Sequence, residues 1–153
     1  MFSQRSWRGA GLWSLGLLLA TGLAQAQMAL MDVWIAEPPP GAQTVAGYLT
    51  LENSGSQSRF LESVSSPQFA RVEIHRTSIV EEVARMQVQT RLEVPAGERL
   101  MLEPGGYHLM LIEPGVRLVR GGQVDLRFEF DDGFILRHAA EVRRLDDPVI
   151  HRH

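Results

Sequence analysis

Residues 85–94 read RMQVQTRLEV. Met86, Val88, Thr90, Leu92 and Val94 fall on one side of this run. Arg85, Gln87, Gln89, Arg91 and Glu93 fall on the other. A period of two is the signature of a half-buried β-strand, and Pro95-Ala96-Gly97 ends it. The same pattern continues on both sides. Upstream, Val45 to Glu52 and Ser58 to Val64 read as strands separated by the turn cluster Asn53-Ser54-Gly55-Ser56. Phe69 to His75 is a further strand, and Pro38-Pro39-Pro40-Gly41 is a stiff loop after a first strand. Downstream, Pro104-Gly105-Gly106 turns into Tyr107 to Ile112. Gly121-Gly122 precedes Gln123 to Phe130, and Asp132-Gly133 is a hairpin turn into Phe134 to Val142. Only Ser78 to Ala84 has room for a helical turn, too short to be stable alone. Seven to nine short strands with turns at close intervals predict an all-β Greek-key barrel or sandwich.

The chain has 153 residues, 44% apolar and 22% charged, which fits one globular domain rather than a disordered chain. All fifteen basic residues are arginine, and there is no cysteine. That absence excludes a disulfide framework, Cys-ligated zinc, iron–sulfur clusters and thiol nucleophiles. It also excludes a blue-copper centre, which needs a thiolate. Arg5 and Arg8, the uncharged run Gly9 to Ala24 and the small-x-small triplet Ala24-Gln25-Ala26 have the layout of a secretory signal. The apolar run is short for a membrane span, which needs about 20 residues. The expected division is a signal peptide over 1–26, one domain over 27–145 and a flexible tail over 146–153. Cleavage would leave no membrane insertion and would place the protein in the bacterial periplasm. With no cysteine after the apolar run, lipid attachment is not expected. From Gln27 onward, 13 arginines face 18 acids, a formal charge of −5. A net-acidic chain without a basic cluster is a poor nucleic-acid binder.

The sequence offers no enzyme chemistry. It contains no phosphate loop, nucleophile elbow, zinc-protease helix or calcium loop. The acidic pairs Glu81-Glu82, Asp131-Asp132 and Asp146-Asp147 sit in turns, loops or the tail, where charges are ordinarily solvated. Histidine and methionine stand apart. His108 and Met110 are two residues apart in one strand and so share a face. His75 ends an earlier strand, and Met86 opens another ten residues later. If those strands pair as a hairpin, His75 and Met86 lie close together. Two imidazoles and two thioethers form a neutral, soft donor set. Thioether selects Cu(I), whereas zinc normally takes thiolate, imidazole or carboxylate. Taken singly, each residue has a plainer role. Met86 is in phase with Val88 and Leu92 and would serve as core filler, as would Met110. Spacing is what lifts the set.

That spacing resembles the PCu(A)C family of periplasmic copper chaperones: His75, ten residues, Met86, twenty-one residues, His108, one residue, Met110. With each residue type near 4% of the chain, such a match arises by chance on the order of once in 10⁴ trials. Ala46 to Asn53 (AGYLTLEN) is similar to the family's aromatic strand ending in Asn. Val64 to Pro67, Val72 to His75, Leu92 to Gly97 and Pro104 to Leu111 resemble further family blocks, so the likeness spans about Asp32 to Val142. It implies a cupredoxin-like β-barrel holding one Cu(I) through His75, Met86, His108 and Met110. It also implies a role in assembling the Cu(A) centre of cytochrome c oxidase, with the oxidase subunit carrying that site and Sco-type thiol proteins as partners. There are two departures. Arg76 stands where the family often has methionine, and Glu81-Glu82-Val83 stands where its loop usually has glycine. His151 and His153 resemble a short version of the metal-binding tails of some members.

Three other functions compete with oxidase assembly. Copper storage or resistance would use the same donors. A metal-free β-sandwich interaction module would use none of them. A hydrolytic or redox enzyme would need a nucleophile or acid–base pair that the sequence does not display.

Overall fold

The computed structural model describes residues 27–147. The expected signal peptide and the histidines of the expected tail lie outside these residues. The strands are β1 (Met28–Ala36), β2 (Thr44–Asn53), β3 (Arg59–Ser65), β4 (Phe69–Val80), β5 (Val83–Gln89), β6 (Leu92–Val94), β7 (Arg99–Leu102), β8 (Tyr107–Pro114), β9 (Gln123–Phe130) and β10 (Ile135–Arg143). No helix occurs among the described residues. The strand order is β5-β4-β8-β7-β2-β1-β10-β9-β3-β6, with β8 also pairing with β2. Most neighbours are antiparallel, while β1–β10 and β7–β8 are parallel. The architecture is an all-β, cupredoxin-like one.

The order brings the two halves of the sheet around one core. Ile74, Val45, Leu49, Leu51, Leu109 and Leu111 come from the first half. Val124, Leu126, Phe128, Phe130, Ala140 and Val142 come from the second. Alternation within each strand produces this. In β9, Val124, Leu126, Phe128 and Phe130 are buried while Gln123 and Asp125 are exposed. Asn53, fully buried at the end of β2, closes the loop beyond it. Its amide donates to the carbonyls of Gln57 (2.8 Å) and Val94 (2.9 Å) and accepts from the Gly55 N–H. Each bond satisfies a group that would be costly to bury alone.

Among the described residues ten strands form rather than seven to nine, and the extra ones have a physical origin. The alternating run 85–94 is two strands, broken at Thr90-Arg91. β5 pairs with β4, whereas β6 pairs with β3 at the opposite end of the strand order. Arg99–Leu102, between two turns, adds β7 against β2. The helical turn expected over Ser78 to Ala84 is absent. β4 runs on to Val80 and β5 starts at Val83, so Glu81-Glu82 is a two-residue hairpin turn. Both carry positive φ, 53° and 63°, as a type I′ turn requires.

Candidate metal-binding face

The β4–β5 hairpin is the one that the His75–Met86 spacing calls for. His75 lies opposite Val88, and Met86 lies opposite Thr77. Directly opposed residues share a face and diagonal ones lie about 7–8 Å apart, so Met86 is the diagonal neighbour of His75. On the other side of β4, His75 is directly opposite His108 and Glu73 is opposite Met110. The register therefore puts His75, Met86, His108 and Met110 on one face of three adjacent strands, β5-β4-β8. The two imidazole centroids are 5.7 Å apart, edge to face.

Their exposure differs. His108 is 5% exposed and Met86 is 61% exposed; His75 and Met110 are intermediate. Met86 is thus surface, not core filler, and the burial belongs to Leu92 and Val94 on the separate strand β6.

Each histidine has one nitrogen tied down. The Nδ1–H of His108 donates to the Gly106 carbonyl at 3.2 Å, which leaves Nε2 as its lone-pair nitrogen. The same carbonyl accepts the Thr77 N–H at 3.0 Å. The Pro104-Gly105-Gly106 turn, with Gly105 at φ 86°, thus ties β4 to His108 through one oxygen. Nε2 of His75 lies 2.8 Å from a carboxylate oxygen of Glu73. Its Nδ1 is buried and has no hydrogen-bond partner. A buried polar atom without a partner is unusual, and an imidazole nitrogen in that state is available to a metal ion. Burial, opposed by the hydrogen bond to Gly106, holds the His108 pKa below its usual value. The hydrogen bonds from His75 and Arg71 lower that of the partly exposed Glu73 carboxyl.

Among the described residues, no three His, Asp or Glu side chains gather into a metal site. What the face offers is imidazole and thioether, suited to a soft ion. It is an open sheet face. A groove of about 660 Å³, lined by Ser66, Asp125, Arg127, Arg137 and His138 among others, lies on the other half of the sheet.

Arg76 pairs with Tyr107 in register and stacks over its ring at 5.3 Å. By alternation it points to the face opposite His75, so this departure from the family pattern leaves the donor face untouched. Sequence reasoning passed over Glu73. Its position two residues before His75 on the same strand was the available signal.

A family model described as "Putative lipoprotein LpqE-like" matches residues 28–142. The chain is similar to a Rickettsia prowazekii protein, RP573, of uncharacterised role, at 33% identity over 57% of this chain and 49% of that one. It spans about half the length of the curated relatives it matches, 57% and 49%. Among solved structures it is similar to the Cu(I) form of DR1885 from Deinococcus radiodurans. There the TM-score is 0.67 and the identity 26%, over 84% of this chain and 85% of that one. It also shares the fold of the copper-bound PCuAC domain from PmoF2, at TM-score 0.66 and 19% identity, over 77% and 93% of the two chains.

Proposed function

Since the chain belongs to the LpqE-like family, we propose that it is an exported copper chaperone that carries one Cu(I) as cargo. His75 and His108 would donate ring nitrogens, and Met86 and Met110 would donate sulfur. The observation that carries this reading is the register, which sets two imidazoles and two thioethers on one face, together with a buried, partnerless His75 Nδ1. Support comes from DR1885 and PmoF2, whose structures are described as Cu(I)-bound and copper-bound. The signal-like sequence at 1–26 and the lipoprotein description of the family support export.

Transfer follows from the donor chemistry. Neutral, soft ligands hold Cu(I) without the thiolate that would bind it far more tightly. An acceptor reaches the metal from the open face and replaces the ligands in turn, starting at the exposed Met86. This openness favours delivery over storage. The chain has no thiol, so reduction of an acceptor's disulfide must come from a separate protein, the part a Sco-type partner would fill. The Cu(A) subunit of cytochrome c oxidase is the proposed destination.

The site is tested by Cu(I) competition with a chromophoric chelator, comparing wild type with the Met86→Ala/Met110→Ala double variant. A large loss of affinity is expected, and equal affinity would overturn the assignment. Ligation needs neutral imidazole, so affinity should weaken on acidification through the range in which histidine changes charge. The destination is tested by oxidase activity in a deletion strain grown with limiting copper. Undiminished activity there would leave copper binding intact but remove the oxidase role.

A further inference from the structure

Among the described residues, Glu73 is the one carboxylate hydrogen-bonded to the donor set, and both its oxygens are engaged. Oε2 receives His75 Nε2 at 2.8 Å, and Oε1 receives Arg71 Nε at 3.0 Å. Arg71, Glu73 and His75 alternate along one face of β4, so the strand itself lines them up in a row. Arg71 also lies 3.7 Å from Glu113, so its guanidinium sits between two carboxylates at the surface. A carboxylate so held accepts and does not donate. The proton shared with His75 therefore resides on Nε2, and the ring's lone pair is at Nδ1, the buried nitrogen without a partner. His108 is in the opposite state. Its Nδ1–H is committed to the Gly106 carbonyl, so its lone pair is at Nε2.

We infer that Glu73, anchored by Arg71, is a positioning residue that holds His75 as the Nε2–H tautomer, so that His75 offers copper Nδ1 while His108 offers Nε2. The inference rests on the proposed Cu(I) site, but its first consequence concerns the metal-free protein. The row has two effects. It fixes ring orientation before the metal arrives. It also raises the basicity of the coordinating nitrogen, because the N–H on the other side of the ring leans on a negative charge. Glu73 does not itself reach the metal, because its oxygens are already committed and a carboxylate suits harder ions. The neighbouring Met110, opposite Glu73 in register, then supplies sulfur beside a ring that is already set.

The test is long-range ¹H–¹⁵N correlation on the histidine rings of the copper-free protein near pH 8, above the ordinary imidazole range. Copper is then added anaerobically as Cu(I) to one equivalent. In wild type, His75 should show a protonated Nε2 and a bare Nδ1, with His108 the reverse. On adding Cu(I), the His75 Nδ1 and His108 Nε2 resonances should move while the His75 Nε2–H persists. In Glu73→Ala the fixed His75 pattern should give way to exchange between tautomers, and Cu(I) affinity should fall about 10- to 100-fold, the usual loss for a ligand-orienting partner. Glu73→Gln keeps an accepting oxygen and should recover part of both. An unchanged His108 pattern in each variant shows that the fold is intact, which separates positioning from misfolding. A proton on Nδ1 of wild-type His75 would overturn the inference, as would copper at its Nε2. Glu73→Ala with wild-type spectrum and affinity would overturn it too. If the tautomers are as stated but wild type takes up no Cu(I), the copper reading fails while the arrangement of the ring stands.

Discussion

The two sides of the donor face are built differently. His108 and Met110 sit on β8, an interior strand flanked by β4 on one side and by β2 and β7 on the other. Met86 sits on β5, an edge strand on which six of seven residues are exposed. One side is backed by core and the other by solvent. A site that must hold a metal and then release it benefits from this division. In the proposed Cu(I) site, the core-backed side would keep two donors in place, and the edge side would supply one that an acceptor can displace. The rigid side breaks from behind. Gly47 lies opposite Leu109, between the positions of His108 and Met110. A Cβ there would meet Ile35 Cδ1 at 3.0 Å and Leu111 Cδ1 at 3.1 Å. Gly47→Val should therefore cost about 1–3 kcal/mol by overpacking, measured by chemical denaturation. It should also disturb the His108 resonances more than those of Met86.

The edge side has slack of a different kind. Glu81 and Glu82 both adopt positive φ, a conformation that side chains with a Cβ take at a cost. Glu82→Gly should relieve this and stabilise the protein by about 1 kcal/mol, seen as a raised denaturation midpoint with Cu(I) affinity nearly unchanged. A destabilised variant would mean that the turn is not the strained element described. Met86→Ala sharpens the comparison further. Its side chain is mostly in water, so stability should move by no more than about 0.5 kcal/mol while Cu(I) affinity drops. Met110→Ala should cost both. Equal stability losses in the two variants would erase the distinction between the sides.

The shared face of the four candidate donors was legible in the sequence because β-strand alternation is local. His108 and Met110 share a face whatever the rest of the chain does, and a hairpin is the simplest way to join His75 to Met86. The extent of that hairpin was not legible. The two-residue turn uses Glu-Glu rather than the Asn-Gly or Asp-Gly that signals a type I′ turn, so Ser78 to Ala84 looked like a helical turn instead. The run 85–94 misled for a related reason. Unbroken alternation cannot reveal a change of pairing partner, and nothing in Thr90-Arg91 resembles a turn signal. Only the tertiary arrangement separates exposed Met86 and Val88 from buried Leu92 and Val94. Glu73 went unread because its place two residues before His75 on one strand gains meaning only once its contacts to His75 Nε2 and Arg71 are in place.

The smallest expected effect concerns the rigid side alone. Burial lowers the pKa of His108, and the hydrogen bond to Gly106 partly offsets this, so the slope it produces should be gentle. An imidazole in the unfolded chain takes up a proton as pH falls through about 6.5, while His108 in the folded, copper-free protein resists until lower pH. Between those points the unfolded state binds more protons, so stability rises with pH. The contribution is complete above about pH 6.5, declines as pH falls toward the lowered folded value, and then levels off. Denaturation of copper-free wild type and His108→Asn at several values between about pH 5 and 8, the range in which histidine changes charge, measures it together with the smaller repulsion from His75 that also lowers the His108 pKa. The stability difference between them should shift against wild type on acidification. A difference that is flat with pH would mean that burial and the repulsion from His75 do not outweigh the hydrogen bond to Gly106 in solution.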